Sequence, residues 1–505
     1  MNIQTYKKLS LLVICFILLF QGVLLRGIEV LNKNYLWGFD HGRDYLLTYD
    51  IVVNHNARLI GTPLGAGSAG IQGIFHGPGY YYFLTIPFIL FGGDPYGGVV
   101  LMFVFGVAAL ALSFILGKKM YGMIGGLIVV VLHAISPPLI AQSRSIWNSH
   151  PTTPFIILSF LFTYLMCVAT KRKLLYAFLA SFFAGFIYNF ELAIAVPMSV
   201  GLVFYSFFIF KKSFKNYLAL VFGFVVAYLP MALFDIRHNF MMVSGIFQYI
   251  FHRSHSKSDL SYVQNIVDHF WAFLFNLSNT FPQQTLISGT MILLIFTVSF
   301  VFLINKEKNK DLRMFVTYLF SLPIISFVIL SFLRNAVYPY YLVHLNVCYI
   351  LLFVYFLLTF QKRYIPGKIL FTFLLIFFAY AFMQKSIGVI QYDLKDYGGD
   401  AKIRGKQDAF DYIYKDAKGE KFGLFVFSPP VYTYPYDYLA QWYGKSKYGY
   451  LPSASKDGLF YLLIEVDGSK PWSYKGWQQT VIKTGDVVST KKLPSGLIVE
   501  KRVSK

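Results

Sequence analysis

Residues 98 to 117 read GVVLMFVFGVAALALSFILG, and Lys118 and Lys119 follow at once before a second uncharged run over residues 122 to 141. Each run has the roughly 20 apolar residues that a helix needs to cross the hydrocarbon core of a bilayer. Outward from this pair, similar runs cover residues 9 to 25, 154 to 169, 174 to 190, 192 to 210, 216 to 234, 285 to 304, 314 to 333, 340 to 360 and 369 to 387. The pattern predicts a polytopic α-helical membrane protein with about 11 spans. A further apolar piece, Tyr80 to Phe91, has only 12 residues and fits a re-entrant or interfacial helix better than a crossing.

Composition excludes an ordinary soluble enzyme. Of 505 residues 56% are apolar, 19% aromatic and 14% charged, whereas an average soluble domain is about a quarter charged. The net charge of +21 would suggest a nucleic-acid partner in a soluble chain. Here the basic residues gather in short clusters between apolar runs, so no nucleic acid is expected. With the N-terminus inside, the inside loops hold 17 Lys and Arg in about 38 residues, against 9 in about 140 for the outside loops before the tail. Counting the short piece as a span would invert every later loop. Cys15, Cys167 and Cys348 each lie in an apolar run and build neither a disulfide framework nor a metal site. The first run lacks a small-residue cleavage pattern and reads as a retained anchor.

Residues 26 to 97, 142 to 153 and 235 to 284 and the tail from 388 onward then lie outside, and chemistry should be sought there. In the tail, Gln407 to Tyr414 and Tyr436 to Trp442 pattern as helices, while Phe422 to Phe427, Leu459 to Val466 and Ile498 to Val503 pattern as strands. The expected organisation is a transmembrane domain over residues 1 to 390, with an extracytoplasmic first loop 26 to 97. Residues 391 to 505 should form a small, soluble extracytoplasmic α/β domain that folds independently. Gly65-Ala-Gly67-Ser-Ala-Gly70 has dinucleotide-binding spacing, but it follows no strand and opens no helix, so it reads as a bending loop. Neither a Walker loop, a His-Glu helix motif nor a nucleophile elbow is present.

The first outside loop carries Asp40-His-Gly-Arg43-Asp44-Tyr45, two carboxylates and a guanidinium within six residues. In a helix Asp40 and Asp44 would share a face; the bland reading is a solvated charge cluster beside a membrane. Further on come His76-Gly-Pro78-Gly-Tyr80-Tyr81-Tyr82 and Ser143-Arg144-Ser-Ile-Trp147-Asn148-Ser-His150-Pro151.

These three elements, in this order and on one face, resemble the GT-C superfamily of polytopic glycosyltransferases that use a polyprenyl-phosphate sugar as donor. Within it they look like the branch of protein O-mannosyltransferases and the bacterial aminoarabinose transferase of lipid A, over roughly residues 5 to 390. The resemblance implies a hexosyl or pentosyl transferase that moves the sugar, with inversion, to an envelope lipid, glycan or protein acceptor. It gives the catalytic carboxylate to Asp40 and the donor phosphate to Arg43. Chemistry supports this division: the departing phosphate needs little acid help, the acceptor hydroxyl needs a base, and a planar guanidinium suits developing phosphate charge. His76, Arg144 and Arg334 are further candidates for the donor phosphate, and Asp44, Tyr81, Asn148, His150 and Glu191 for substrate binding.

The chain departs from the pattern at two points. His76-Gly77-Pro78 stands where the aminoarabinose branch has an acid and a lysine before the proline, so a phosphate contact is missing unless His76 or another residue supplies it. Asn148 stands where related enzymes often carry Asp, which weakens the case for a divalent metal held between two loops. No cofactor is expected, and the chemistry should be metal-independent. Bland roles compete elsewhere. Glu191, in the turn Tyr188-Asn-Phe-Glu191, reads first as a solvated hairpin carboxylate. Arg334 with Tyr338-Pro-Tyr340-Tyr341, and Trp147, read as interfacial belt residues. The rival class is a polyprenyl-linked lipid or glycan transporter or flippase, which usually shows internal repeats and ionisable residues near the bilayer middle. Here the polar residues gather at one surface. The expected location is a bacterial cytoplasmic membrane with the active face outward.

The charge count makes a topological prediction. With the native cysteines replaced, a single cysteine at Ser68 or Ser453 should react with an impermeant maleimide in intact spheroplasts, and one at Lys118 only after lysis. Protection at either serine position would overturn the eleven-span orientation.

Overall fold

Long apolar runs satisfy their backbone groups within the segment, which makes them helices. The computed structural model describes residues 3–64, 73–211, 213–251, 262–282, 306–333, 336–363, 365–429 and 431–504. The glycine-rich loop at Gly65 to Gly70, the run at 285 to 304 and Arg334 lie outside the described residues. The N-terminal half forms α1 (Ile3–Arg26), α2 (Ile28–Asn32), α3 (Phe39–Val53), α4 (Gly79–Leu90), α5 (Tyr96–Ile135), α6 (Pro137–Ala141), α7 (Thr152–Val168), α8 (Lys173–Phe186) and α9 (Leu192–Phe210). After these come α10 (Phe214–Arg237), α11 (Met241–Phe251), α12 (Tyr262–Asn279), α13 (Lys310–Leu330), α14 (Val343–Arg363) and α15 (Ile365–Lys395).

Among the described residues six helices are long and apolar enough to cross a membrane. The difference from eleven runs is accounted for by α5, which holds two of them, by α1, whose apolar part is the short stretch Leu12–Arg26, by the shorter α7 and α8, and by residues 285 to 304, which lie outside the described residues. Within α5 the chain folds back at Gly122, whose φ of 79° and ψ of −176° are open to glycine. A methyl on Gly117 would there sit 2.8 Å from the Val129 side chain, so the two halves lie against each other. The short apolar piece is α4, 12 residues or roughly 18 Å at helical rise. Its Tyr80, Tyr81, Leu84 and Phe88 are buried while Ile86, Ile89 and Leu90 stay exposed. Arg26 closes α1 by donating to the carbonyls of His133 and Ala134 at 2.9 and 2.7 Å, which fixes where the first loop begins.

The tail forms α16 (Ile403–Ala417), β1 (Gly423–Phe427), α17 (Tyr434–Leu439), β2 (Gly458–Ile464), β3 (Asp486–Lys492) and β4 (Ile498–Ser504). The sheet order is β1-β2-β4-β3, with β1 parallel to β2 and the other pairs antiparallel. The expected helices and strands are present, while β3 escapes the sequence pattern because all of its residues, DVVSTKK, are exposed and show no alternation. Side chains alternate along β2. Leu459, Tyr461 and Leu463 join Phe410 and Tyr414 of α16, and Phe460, Leu462 and Ile464 pack with Ile482, Tyr474 and Trp477 on the other face.

The first of these faces is not closed within the tail. Its core is continuous with Tyr35, Trp37, Tyr45, Tyr80 and Phe88 of the first loop, α3 and α4. Backbone bonds pair the two segments, from Trp37 N to Ala401 O at 3.0 Å and from Ile403 N to Tyr35 O at 2.9 Å. The fully buried Trp37 donates its indole N–H to Pro435 O at 3.0 Å. Residues 398 to 505 expressed alone should therefore bind a hydrophobic dye and melt without a sharp transition. A cooperative melt with no dye binding would restore the independent unit.

Candidate active site

Gly38 precedes α3 in extended backbone and donates its N–H to His41 Nδ1 at 3.1 Å, which closes the helix start. Asp40 falls in the first turn, where the helix dipole favours a carboxylate. One turn on, Arg43 reaches both neighbours: Nη1 lies 2.8 Å from Asp40 Oδ1, while Nη2 and Nε lie 2.8 and 2.9 Å from Asp44 Oδ1. Gly42 between them is required by close approach, since a Cβ there would fall 2.4 Å from Pro435 N. The tail thus rests directly on the motif.

The three charges differ in access. The Asp40 side chain is 33% exposed, Arg43 15% and Asp44 0%. Asp44 lies fully buried behind Arg43 and is bonded to it, whereas Asp40 is the accessible carboxylate of the pair. Burial pushes its carboxyl up to about 6 against the opposing pull of Arg43. Tyr80 and Tyr81 bury their hydroxyls in the field of this ion pair without a well-formed hydrogen bond of their own. Phe39 packs against Tyr432 and Tyr434 of the tail, at ring distances of 5.4 and 5.2 Å.

His76 is buried beside Arg43, and burial pushes its imidazole down to about 4. It is neutral near pH 7, so toward a phosphate it would act as a hydrogen-bonding imidazole and not as a cation. His41 and His150 are likewise held neutral by burial, at about 3 and about 4. The His150 ring donates from Nδ1 to Ser145 O at 2.6 Å, and Asn148 donates to Phe190 O at 2.7 Å. Both shape the loop after α6 instead of reaching outward. Arg144 is engaged by two carboxylates, with Nε 2.9 Å from Glu29 Oε1 and Nη2 2.6 Å from Asp393 Oδ2. It ties α2 to the end of α15.

Glu191 overturns its solvated reading. It is 2% exposed, caps α9, and accepts from Ala193 N at 3.2 Å. Its turn is clamped to the Pro78 motif, with Gly77 N donating to Tyr188 O at 3.2 Å and Gly79 N to Asn189 Oδ1 at 2.9 Å. Burial pushes its carboxyl up to about 8. Tyr340 lies in the fields of both Glu191 and Asp40, and the half-buried Trp147 packs 4.6 Å from its ring. The structure thus brings together Asp40, Arg43, Asp44, Tyr81 and His76, with Glu191 and Tyr340 opposite.

Sequence reading missed the tail's share. Lys406 is 2% exposed, lies 3.7 Å from Glu465 and 5.1 Å above the Tyr436 ring, and its charge is felt at His41. Burial lowers its ammonium. The only sequence signal for it was the amphipathic pattern of α16. Among the described residues no group of three or more His, Cys, Asp or Glu side chains gathers to hold a metal ion.

A helical scaffold with membrane-length helices has a first loop that carries an acid and an arginine on a short helix, and a small α/β tail caps it. The chain matches no protein-family model and no curated protein. Among solved structures it is similar to ArnT from Cupriavidus metallidurans bound to undecaprenyl phosphate, with a TM-score of 0.59 and 12% identity over 99% of each chain. The same protein in the apo state gives 0.58 and 10%, again over 99% of each chain. The Archaeoglobus fulgidus oligosaccharyltransferase complex with Zn and sulfate gives 0.48 and 14%, over 96% of this chain and 72% of that one. The two ArnT structures establish the fold.

Glu191 yields a pH prediction. A carboxyl raised in the folded state binds its proton more tightly there than when unfolded, so stability falls as pH rises from the ordinary range near 4.5 to about 8. Glu191→Gln removes that loss, which is on the order of a few kcal/mol. Its melting temperature in detergent should match wild type near pH 5 and exceed it by a few degrees near pH 9. Parallel pH profiles would show that the carboxyl is not desolvated.

Proposed function

We propose that the chain is an integral membrane glycosyltransferase that moves a hexosyl or pentosyl group from a polyprenyl-phosphate donor to an envelope lipid, glycan or protein acceptor. Transfer takes place at the extracytoplasmic face, with inversion. The observation that carries this reading is Arg43, anchored from behind by the buried Asp44 while its Nη1 edge faces the accessible Asp40. A donor phosphate entering at that edge displaces Asp40 from the guanidinium. Asp44 keeps Nε and Nη2, and Asp40 is released to take the acceptor's proton.

In the transfer step the acceptor hydroxyl gives its proton to Asp40 as its oxygen bonds to the anomeric carbon. The anomeric carbon to phosphate-oxygen bond breaks, and its electron pair leaves with the polyprenyl phosphate beside Arg43. One in-line displacement inverts the centre. Planar, permanently charged guanidinium stabilises the charge that grows on the phosphate. The ArnT structure bound to undecaprenyl phosphate supports a donor of this class. So does a cavity of about 430 Å³ with apolar walls at Pro137, Pro138, Phe275, Val337 and Pro339, a size and character suited to part of an isoprenoid chain. Pro339 adjoins Tyr340, which links this cavity to the opposite wall of the site.

The test is transfer of radiolabelled sugar from a polyprenyl-phosphate donor by purified variants whose melting temperatures match wild type. Asp40→Asn should lose on the order of a hundredfold in rate while still binding donor. Arg43→Lys keeps the charge but loses the fork, and should weaken donor use with some turnover left. Asp44→Asn frees the guanidinium, so it should resemble Arg43→Lys. Wild-type turnover in Asp40→Asn would remove the assignment and favour a transporter or a noncatalytic chain.

A further inference from the structure

The outer face of the tail's sheet carries a groove of about 580 Å³ that the transfer reading does not use. It belongs to the side of β2 where Tyr474 and Trp477 pack, opposite the face fused to the first loop. Its floor is fixed. Arg502 Nε donates to Glu500 Oε1 at 2.6 Å, and Gln478 gives its amide hydrogens to the two Glu500 oxygens at 3.2 and 3.1 Å. Arg502 Nη1 is held in turn by Thr484 O at 3.2 Å. Glu500 is only 8% exposed, so this chain is a rigid polar base.

Above that base the groove offers unused chemistry. Arg502 neutralises Glu500, and Lys475 and Lys483 stand exposed at the rim, outside the ion pairs of the described residues. Gln478 and Gln479 line it with amide groups, and Tyr474 adds an aromatic ring. Amides that both donate and accept match ring hydroxyls. An aromatic plane matches the apolar face of a sugar, and two free ammonium groups match an acid substituent. A nucleic acid fits poorly, because strand binding uses a basic track with several stacked aromatics. A bilayer surface fits poorly too, since the groove is concave and lies on the sheet face turned from the first loop.

We propose that this groove binds an acidic saccharide, a short stretch of glycan bearing carboxylate groups. The site is independent of the transfer reading, since none of its residues belongs to the Arg43 cluster. Its occupant is bound, not transformed.

Calorimetry on the full-length protein in detergent tests it with trigalacturonate, with maltotriose as the neutral counterpart and with inorganic phosphate as competitor. Trigalacturonate should bind, maltotriose much more weakly, and excess phosphate should not displace the saccharide. Lys475→Ala with Lys483→Ala should weaken trigalacturonate roughly tenfold or more at unchanged melting temperature. Gln479→Ala should weaken it less, through hydroxyl contacts alone. Absent binding, undiminished binding in the double variant, or displacement by phosphate at matched charge would overturn the proposal. Sugar-transfer activity measured on the same variants separates its failure from that of the transferase reading, because groove variants should transfer a small soluble acceptor at the wild-type rate.

Discussion

The first loop and the tail are organised around one guanidinium held by two carboxylates, of which the inner one is out of reach of water. A buried Asp44 without Arg43 would be an uncompensated charge, at a cost of about 3 to 5 kcal/mol. The surroundings therefore serve to keep that pair in register. Glycine at 42 lets the tail's backbone close over the motif, and the Tyr80 and Tyr81 rings wall off the inner side. The outer carboxylate is left as the exchangeable partner. An arginine fixed on one edge by a buried carboxylate and held on the other by a part-exposed one keeps its planar fork in a single orientation.

The electrostatic setting is unusually spare. Three histidines near this cluster, His41, His76 and His150, are all driven neutral by burial. Arg144, a candidate second cation, is already matched by Glu29 and Asp393. Among the described residues, the charge of this cluster is then carried by the Arg43 fork and its two carboxylates, with the buried Lys406 of the tail felt at His41.

Much of the fold was legible because its signals are local. Uncharged runs of the right length become helices whatever they touch, and the 12 residues of α4 are too few to cross whatever surrounds them. Asp40 and Arg43 stood out for the same reason: three positions apart on a helix is a local relation. The errors concern partners distant in the chain. Nothing in Tyr188 to Glu191 announces that Asn148 will hold the turn under cover, so Glu191 read as solvated. Arg144 looked free because Asp393 is 249 residues away. The tail's strands were readable, but its attachment to the first loop was not, since an amphipathic face does not say what will cover it.

That attachment also sets an order of assembly. Trp37 and Pro435 are 398 residues apart in sequence, yet their contact helps close the wall behind Arg43. Chains fold broadly from the N-terminus as they are made, so the first loop must wait, with its aromatic face uncovered, until α16 and α17 of the tail exist. A chain clipped before Ala401 would keep the described helices α1 to α15 and leave the Trp37 and Gly42 faces of the first loop bare.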